Sequence, residues 1–464
     1  MPAPADRATL ESLLREALDE ASTRRGQTVV SVAAPFECAD PIATVFASRR
    51  AGERFFCWEQ PDRNLRLAAL GAVHEISSRG PDRFTEVAAD CAHLSGDAVL
   101  RGEGGFTTGA VWTGGFSFHE DQGSDPAWSS FGPAAMVLPE LALQSSEAGT
   151  FITLNLMAGA GREAASLIEA ALGRVGSLVH PELPMIDPHP TVTPSIESVR
   201  SPQDYEHSVA RAVERIRAGE IEKVVLAREV VVRAGSAHDP AAIFGALRIG
   251  FPSCFNFCVG TGEAAFIGAS PELLVRCSGR GVATVGLAGS TRRSSDPAVD
   301  DHLAQQLLGS EKDRGEQEVV VKRIVKSLSR ISVWVEAADE PEIIKVANIQ
   351  HLGTPVYAQL SQPRTAIELA GLLHPTPAVG GEPWKKARKV MAEVEGMDRG
   401  WYAGPVGWMD GSGDGEFCVA LRSALIRDRE AHLFAGVGVV ADSDPAAELA
   451  ETEIKLGALL PLLS

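Results

Sequence analysis

No stretch of this 464-residue chain reaches the roughly 18 uninterrupted apolar residues of a membrane-spanning helix. The N-terminus, MPAPADRATLESLLREALDEA, lacks the basic start and apolar run of a signal peptide and reads as an acidic amphipathic helix. A cytoplasmic protein with no membrane partner is therefore expected. Positive charge is scarce: 43 Lys and Arg stand against 61 Asp and Glu, a net charge of −18. Nothing broad is available to neutralise phosphates, which excludes nucleic acid as a partner, and acidity on this scale serves solubility. Cysteine is odd in number, seven, and scattered among apolar neighbours (38, 57, 91, 254, 258, 277, 418). Cys254 and Cys258 stand close, but no second pair completes a zinc ligand set, so buried reduced thiols are expected. The chain also lacks a GxxxxGK[ST] loop, a GxGxxG after a strand and an HExxH helix, which removes support for ATP, dinucleotide and zinc-protease chemistry. No period of 20–50 residues indicates a solenoid or propeller.

What is present is a core. At 45% hydrophobic, the chain can fill two ordinary domains or one large body of helices and strands. The main composition shift is HPELPMIDPHPTVTP, 180–194, a proline-rich connector that can hold neither helix nor central strand. Upstream, strand-like runs such as Phe151–Leu156 and Ala110–Phe118 alternate with glycine-marked turns. Downstream, a helix over about 202–218 leads through Gly219 into a strand, Lys223–Arg233. Near the end, Trp401–Met409, Glu416–Ile426 and His432–Ala441 read as a three-stranded meander, with turns at Asp410–Gly415 and Arg427–Ala431. Strands and helices mix without regular βαβ alternation, so the expected class is α+β.

Four groups of residues can carry chemistry. In Asp444-Pro445-Ala-Ala-Glu448-Leu-Ala-Glu451-Thr-Glu-Ile-Lys455, Asp444 is a helix N-cap and Pro445 suits the first helical position. Glu448, Glu451 and Lys455 then share one face, with Leu449, Leu456 and Leu459 on the other. The segment Glu311-Lys-Asp313-Arg-Gly-Glu316 again sets acids at i and i+3, Asp313 and Glu316, ahead of Val319, Val320, Ile324, Val325 and Leu328. Acid pairs on helix faces are ordinarily solvated surface. Two pairs on two helices could also close around a hard divalent cation, for which carboxylate oxygens are the natural ligands. Lys223 opens an almost wholly apolar strand; it is either a strand-end lysine in solvent or a desolvated base beside a cavity. Glu272, in GASPELLV, is either a turn residue holding backbone N–H groups or a buried general acid. Gly436 and Gly438 sit inside a strand, where glycine marks a bulge or a close approach to the backbone. Arg422, among Ala420, Leu421 and Ala424, is costly without an anion, and with the glycines suggests a carboxylate pocket.

Read in order, these segments resemble the chorismate-utilising enzymes: isochorismate synthases, salicylate synthases, anthranilate synthase large subunits and aminodeoxychorismate synthases. The matching stretches are EKVVLAREV (222–230), GASPELLV (268–275), GLAGSTRR (286–293), SEKDRGE (310–316), IQHLGTPV (349–356), LHPTPAVGG (373–381), WYAGPVGW (401–408), ALRSALI (420–426) and AGVGVVADSDPAAELAETEIK (435–455). They run collinearly through 196–464, the catalytic region. Residues 1–195 match more loosely, around GGFSFHE (114–120) and Trp128–Pro139, as the N-terminal half of the same fold. The resemblance implies one large chorismate-binding fold of β-sheets flanked by helices.

Within the family the resemblance points to isochorismate synthase. Lys223 stands where members that use water carry the activating lysine. Ala288 replaces the lysine that forms a covalent intermediate in aminodeoxychorismate synthases, and LHPTPAVGG looks like the isochorismate synthase version of its loop. No glutaminase segment is present, and no such subunit is expected. Carried over by position, Lys223 would activate water for attack at C2 of chorismate, and Glu272 would protonate the departing C4 hydroxyl. Glu316, Glu448 and Glu451, with Asp313 nearby, would hold Mg²⁺. Arg422, Tyr402, Lys455 and the backbone near Gly438 would bind substrate carboxylates, with His351 lining the pocket. The product would feed menaquinone or siderophore synthesis. Two departures concern the surroundings of the ligands: Gln317 stands where relatives commonly have His, and Ile454 where many have Asn. The nearest rival is salicylate synthase, which eliminates pyruvate after the same first step; a non-catalytic chorismate-binding subunit is the other.

Overall fold

The expected strand after Gly219 runs over Lys223–Arg233 and is buried at every position but the last. The helix before it, Pro202–Arg217, starts on Ser201, whose side chain accepts the Asp204 backbone N–H. That bond satisfies one of the four amides a helix N-terminus leaves without a partner. These elements belong to a computed structural model describing residues 5–107, 109–121, 125–159, 161–187, 192–347 and 349–464. The acidic N-terminal helix spans Arg7–Ser22 and is capped by Asp6. Residues 1–4 of that expectation, and 188–191 of the proline-rich connector, lie outside the described residues; the rest of the connector holds neither helix nor strand.

Two large sheets organise the chain. The 13-stranded sheet runs in the order Ser195–Ser198, Lys223–Arg233, Glu430–Val439, Ser423–Arg427, Ala265–Ser270, Phe255–Gly260, Phe55–Gln60, Leu65–Leu70, Leu141–Ser146, Gly149–Ala158, Thr28–Pro35 and Val99–Gly102, with Gly381–Glu382 also on Lys223–Arg233. The 10-stranded sheet centres on Ile349–Leu360, Gly281–Arg292, Leu273–Ser278, Gly415–Val419, Pro405–Asp410 and Val111–Phe116. Both draw strands from either side of residue 195. Among the described residues only Thr28–Pro35 with Val99–Gly102 pairs in parallel, so hairpins and meanders, not βαβ units, build the body. One apolar cluster takes residues from both sheets, among them Trp58, Trp112, Trp128, Trp401, Phe257 and Phe417. Helices Pro41–Ser48 and Pro240–Gly250 cover the other face of the larger sheet. All seven cysteines are buried free thiols. No helix among the described residues is long and apolar enough to cross a membrane.

The C-terminal meander differs from expectation. Glu416–Ile426 is two strands: Gly415–Val419 lies in the smaller sheet and Ser423–Arg427 in the larger. The break is at Arg422, held at φ 47°, in the left-handed region that a side chain with a Cβ disfavours. Apolar spacing continues through the break and hides it. Likewise Trp401–Gly404 forms a turn around Ala403 (φ 60°), and the strand begins at Pro405. The third strand is Glu430–Val439.

Candidate active site

The cleft lies between strands of the two sheets and the N-terminal halves of two helices. Ten of the eleven residues singled out from the sequence line it: Glu272, Asp313, Glu316, His351, Tyr402, Arg422, Gly438, Glu448, Glu451 and Lys455. The eleventh, Lys223, is 2% exposed and sits directly behind, its Nζ donating to Glu316 Oε1 at 2.6 Å.

The acid wall comes from two capped helices. Ser310 accepts the Asp313 N–H at the start of Glu311–Leu328, whose Val320, Ile324 and Leu328 are buried. This burial turns the helix so that Asp313 and Glu316 face the cleft. Asp444 likewise accepts the Ala447 N–H of Pro445–Leu456, which buries Thr452 and Leu456 and presents Glu448 and Glu451. Three of the four acids have a lysine: Lys223 on Glu316 at 2.6 Å, Lys455 on Glu451 at 2.8 Å and Lys312 on Glu448 at 3.6 Å. Burial, with the charges of Glu316 and Glu451, raises the Asp313 carboxyl above its usual range, against a bond from Ser310. Burial and the charges of Glu451 and Glu316 also raise Glu448. Glu451 would be raised by burial, but Lys455 and the Ser290 hydroxyl, 2.6 Å away, hold it at about 2. Among the described residues no three acidic, His or Cys side chains stand grouped as a metal-ligand set. The donors nevertheless fit a hard divalent cation in kind: all are carboxylates, and their mutual repulsion is what a cation would relieve.

A cationic wall adjoins the acids and is tightly built. Arg422 is 7% exposed and donates from Nη2 to His351 Nε2 at 3.1 Å. His351 Nδ1 lies 3.2 Å from the Gly289 carbonyl oxygen. A carbonyl only accepts and a guanidinium only donates, so the ring proton must sit on Nδ1. Burial and the charges of Arg422 and Lys455 push His351 down to about 3, keeping the ring neutral. Arg422 Nε is buried without a hydrogen-bond partner, a donor that a substrate carboxylate could satisfy. Tyr402 stacks on Phe434 with ring centroids 5.2 Å apart, and burial raises its hydroxyl to about 12. Lys455 Nζ donates to the Gly436 carbonyl at 2.8 Å. The glycines serve close approach: a Cβ on Gly438 would meet Glu316 Oε1 at 2.5 Å and Lys223 Cε at 2.8 Å, and one on Gly436 the Tyr402 hydroxyl at 3.1 Å.

Glu272 is 3% exposed, its N–H bonded to Ser270 Oγ at 3.2 Å. Burial raises its carboxyl to about 8, although Lys223, Arg422 and Thr376 pull the other way. It is therefore a proton donor at neutral pH. Of the two departures from the family pattern, Gln317 is buried and donates to the Gly286 carbonyl at 2.6 Å and to Thr354 at 3.0 Å. Ile454 is 38% exposed. Sequence reasoning missed Ser290, Lys312 and Arg399, which also line the cleft. Gly289 (φ +71°) bulges the strand there and presents Ser290 to Glu451; the glycine was the available signal.

The profile of the family described as chorismate binding enzyme matches residues 16–464. The salicylate biosynthesis isochorismate synthase of Pseudomonas aeruginosa is 35% identical over 437 residues, covering 94% of this chain and 90% of that protein. Isochorismate synthase MenF of Bacillus subtilis is 32% identical over 468 residues, covering 98% of each chain. Among solved structures, the menaquinone-specific isochorismate synthase MenF of Escherichia coli superposes with a TM-score of 0.79 at 26% identity, covering 98% of this chain and 100% of that one.

Proposed function

The chain belongs to the chorismate-binding enzyme family, and within it we propose an isochorismate synthase, which converts chorismate to isochorismate. The observation that carries the reading is a buried carboxyl, Glu272, that keeps its proton to about pH 8 in the same cleft as a buried lysine and an underused arginine. Arg422, Tyr402, Lys455 and the backbone at Gly438 bind the two carboxylates and set the ring between base and acid. Lys223, in its neutral form and freed of the ion pair with Glu316, takes a proton from the water that attacks C2. Glu272 gives its proton to the departing C4 hydroxyl as the ring double bonds shift. One hydroxyl replaces another, so the reaction is close to thermoneutral and runs in both directions, with the two residues exchanging roles in reverse. Asp313, Glu316, Glu448 and Glu451 would hold Mg²⁺, whose charge, when bound, would neutralise a ring carboxylate. His351, with both ring nitrogens engaged, aims Arg422 and moves no proton.

The relatives support this choice: both are named isochorismate synthases, whether tied by name to salicylate biosynthesis or not. The test is to incubate the purified protein with chorismate and Mg²⁺ and resolve the products by chromatography. Isochorismate without pyruvate is expected, and ammonia should yield no anthranilate. Stoichiometric pyruvate with fluorescent salicylate would move the assignment to salicylate synthase.

A further inference from the structure

The strand that carries Lys223 has a gap along one edge. Its other edge is laddered to Glu430–Val439 from Val224 against Val439 to Arg233 against Glu430. On the gapped edge, Gly381–Glu382 covers Lys223 and Val224, and Ser195–Ser198 covers Val230–Arg233. The Val225 N–H finds the Gly380 carbonyl at 2.9 Å, and the Glu229 carbonyl takes the Val199 N–H. Between these bonds no strand among the described residues reaches the Val225 carbonyl or the Ala227 N–H. A buried backbone group cannot be left without a partner cheaply.

Two side chains fill the gap. Glu395 Oε2 accepts the Ala227 N–H at 2.9 Å, and Arg399 Nη2 donates to the Val225 carbonyl at 2.9 Å. The two residues are themselves joined by paired bonds of 2.7 and 2.6 Å, with side chains 1% and 3% exposed. Arg399 Nη1 also donates to the Val379 carbonyl at 2.9 Å, and its guanidinium lies 4.2 Å from the Phe118 ring centroid. Val379 and Ala378 line the cleft. One buried ion pair thus ties the strand, two and four residues past Lys223, to the loop that forms a wall of the cleft.

We propose that Glu395 and Arg399 are positioning residues: together they replace a missing strand and hold Lys223 in register with the 376–380 loop. The inference deepens the reading of Lys223 as the base. Lysine cannot reproduce the planar fork that reaches two carbonyls and a carboxylate at once, and a displacement of about 1 Å at a reacting group can cost about 10²-fold in rate.

The experiment compares wild type, Arg399→Lys, Glu395→Gln and the double variant by three measurements: hydrogen exchange of the 224–229 segment, kcat and KM for chorismate, and Tm. In Arg399→Lys, kcat per folded molecule should fall about 10²-fold with KM within about threefold, and 224–229 should lose protection. Glu395→Gln should do the same more mildly, and the double variant should be no worse than Arg399→Lys, because the pair acts as a unit. A purely structural brace would lower Tm and leave kcat per folded molecule unchanged, and a substrate contact at Arg399 would raise KM; either result overturns the proposal. If Arg399→Lys does not fold, the milder Glu395→Gln decides by the same measurements. A wild type that makes no isochorismate would sink the functional reading alone, and exchange at 224–229 would still report on the brace.

Discussion

The two walls of the cleft are built on opposite plans. The cationic wall is locked: Arg422, His351 and the Gly289 carbonyl form a chain in which each atom's role follows from its neighbour's chemistry. The acid wall is poised: its carboxylates stand on the first two turns of two helices, repel one another, and lean on lysines of unequal burial. The difference teaches what each wall is for. A rigid wall suits a substrate of fixed shape, whose carboxylates meet donors already aimed. A wall of like charges held by exchangeable partners suits a cation that arrives with the substrate and completes the balance.

Substitutions can break or sharpen this contrast. The largest effect is expected at the reacting pair. Lys223→Ala and Glu272→Gln should each lose about 10²–10⁴-fold in kcat, in both directions, with chorismate binding largely kept. Because burial raises Glu272 to about 8, it carries its proton below that pH and surrenders it above. Turnover should therefore fall as pH rises through about 8, and a rate profile flat to higher pH would remove Glu272 as the acid.

On the acid wall, Glu316→Gln and Glu451→Gln should leave the fold intact and cut turnover by at least roughly 10–100-fold, since each would remove a charged ligand from the proposed Mg²⁺ site. Excess chelator should abolish wild-type activity, and full activity in chelator would end the case for Mg²⁺. Titration should show Mg²⁺ binding more tightly when chorismate is present.

On the cationic wall the signature is different. Arg422→Lys keeps the charge but loses the fork, so it should weaken chorismate binding by roughly 10–100-fold, matching a charged hydrogen bond of about 1.5–3 kcal/mol, with a smaller effect on kcat. If instead kcat collapses while binding holds, the rigid wall is doing chemistry and not recognition.

The smallest effect belongs to Lys312, whose side chain is 50% exposed and stands 3.6 Å from Glu448. Exposed pairs contribute at most about 1 kcal/mol, so Lys312→Ala should change turnover by no more than about fivefold. A loss as large as that of Glu316→Gln would show that the acid wall depends on its lysines.

Much of this site was legible because its chemistry sits in odd places: a lysine opening an apolar strand, glycines inside one, and an arginine among alanines and leucines. Family motifs then suggested the roles proposed for these residues. The fold was legible where a local pattern and the tertiary structure agree, as in Pro202–Arg217 and Lys223–Arg233. It was illegible at Ala420–Arg422, where one apolar pattern hides a change of sheet. Glu395 and Arg399 were invisible for another reason. An acid and a base four residues apart read as an exposed helix pair, and only the missing strand beside Val225 and Ala227 explains why they are buried.

The backbone at Arg422 sets stability against activity. With φ at 47° and a buried Nε that no described residue bonds, this residue carries both a conformational cost and a desolvation cost. Glycine there would relieve both, and Arg422→Gly should raise Tm while destroying affinity for chorismate. Selection for heat tolerance alone would drift toward that change, so the working enzyme is kept less stable than its own fold permits.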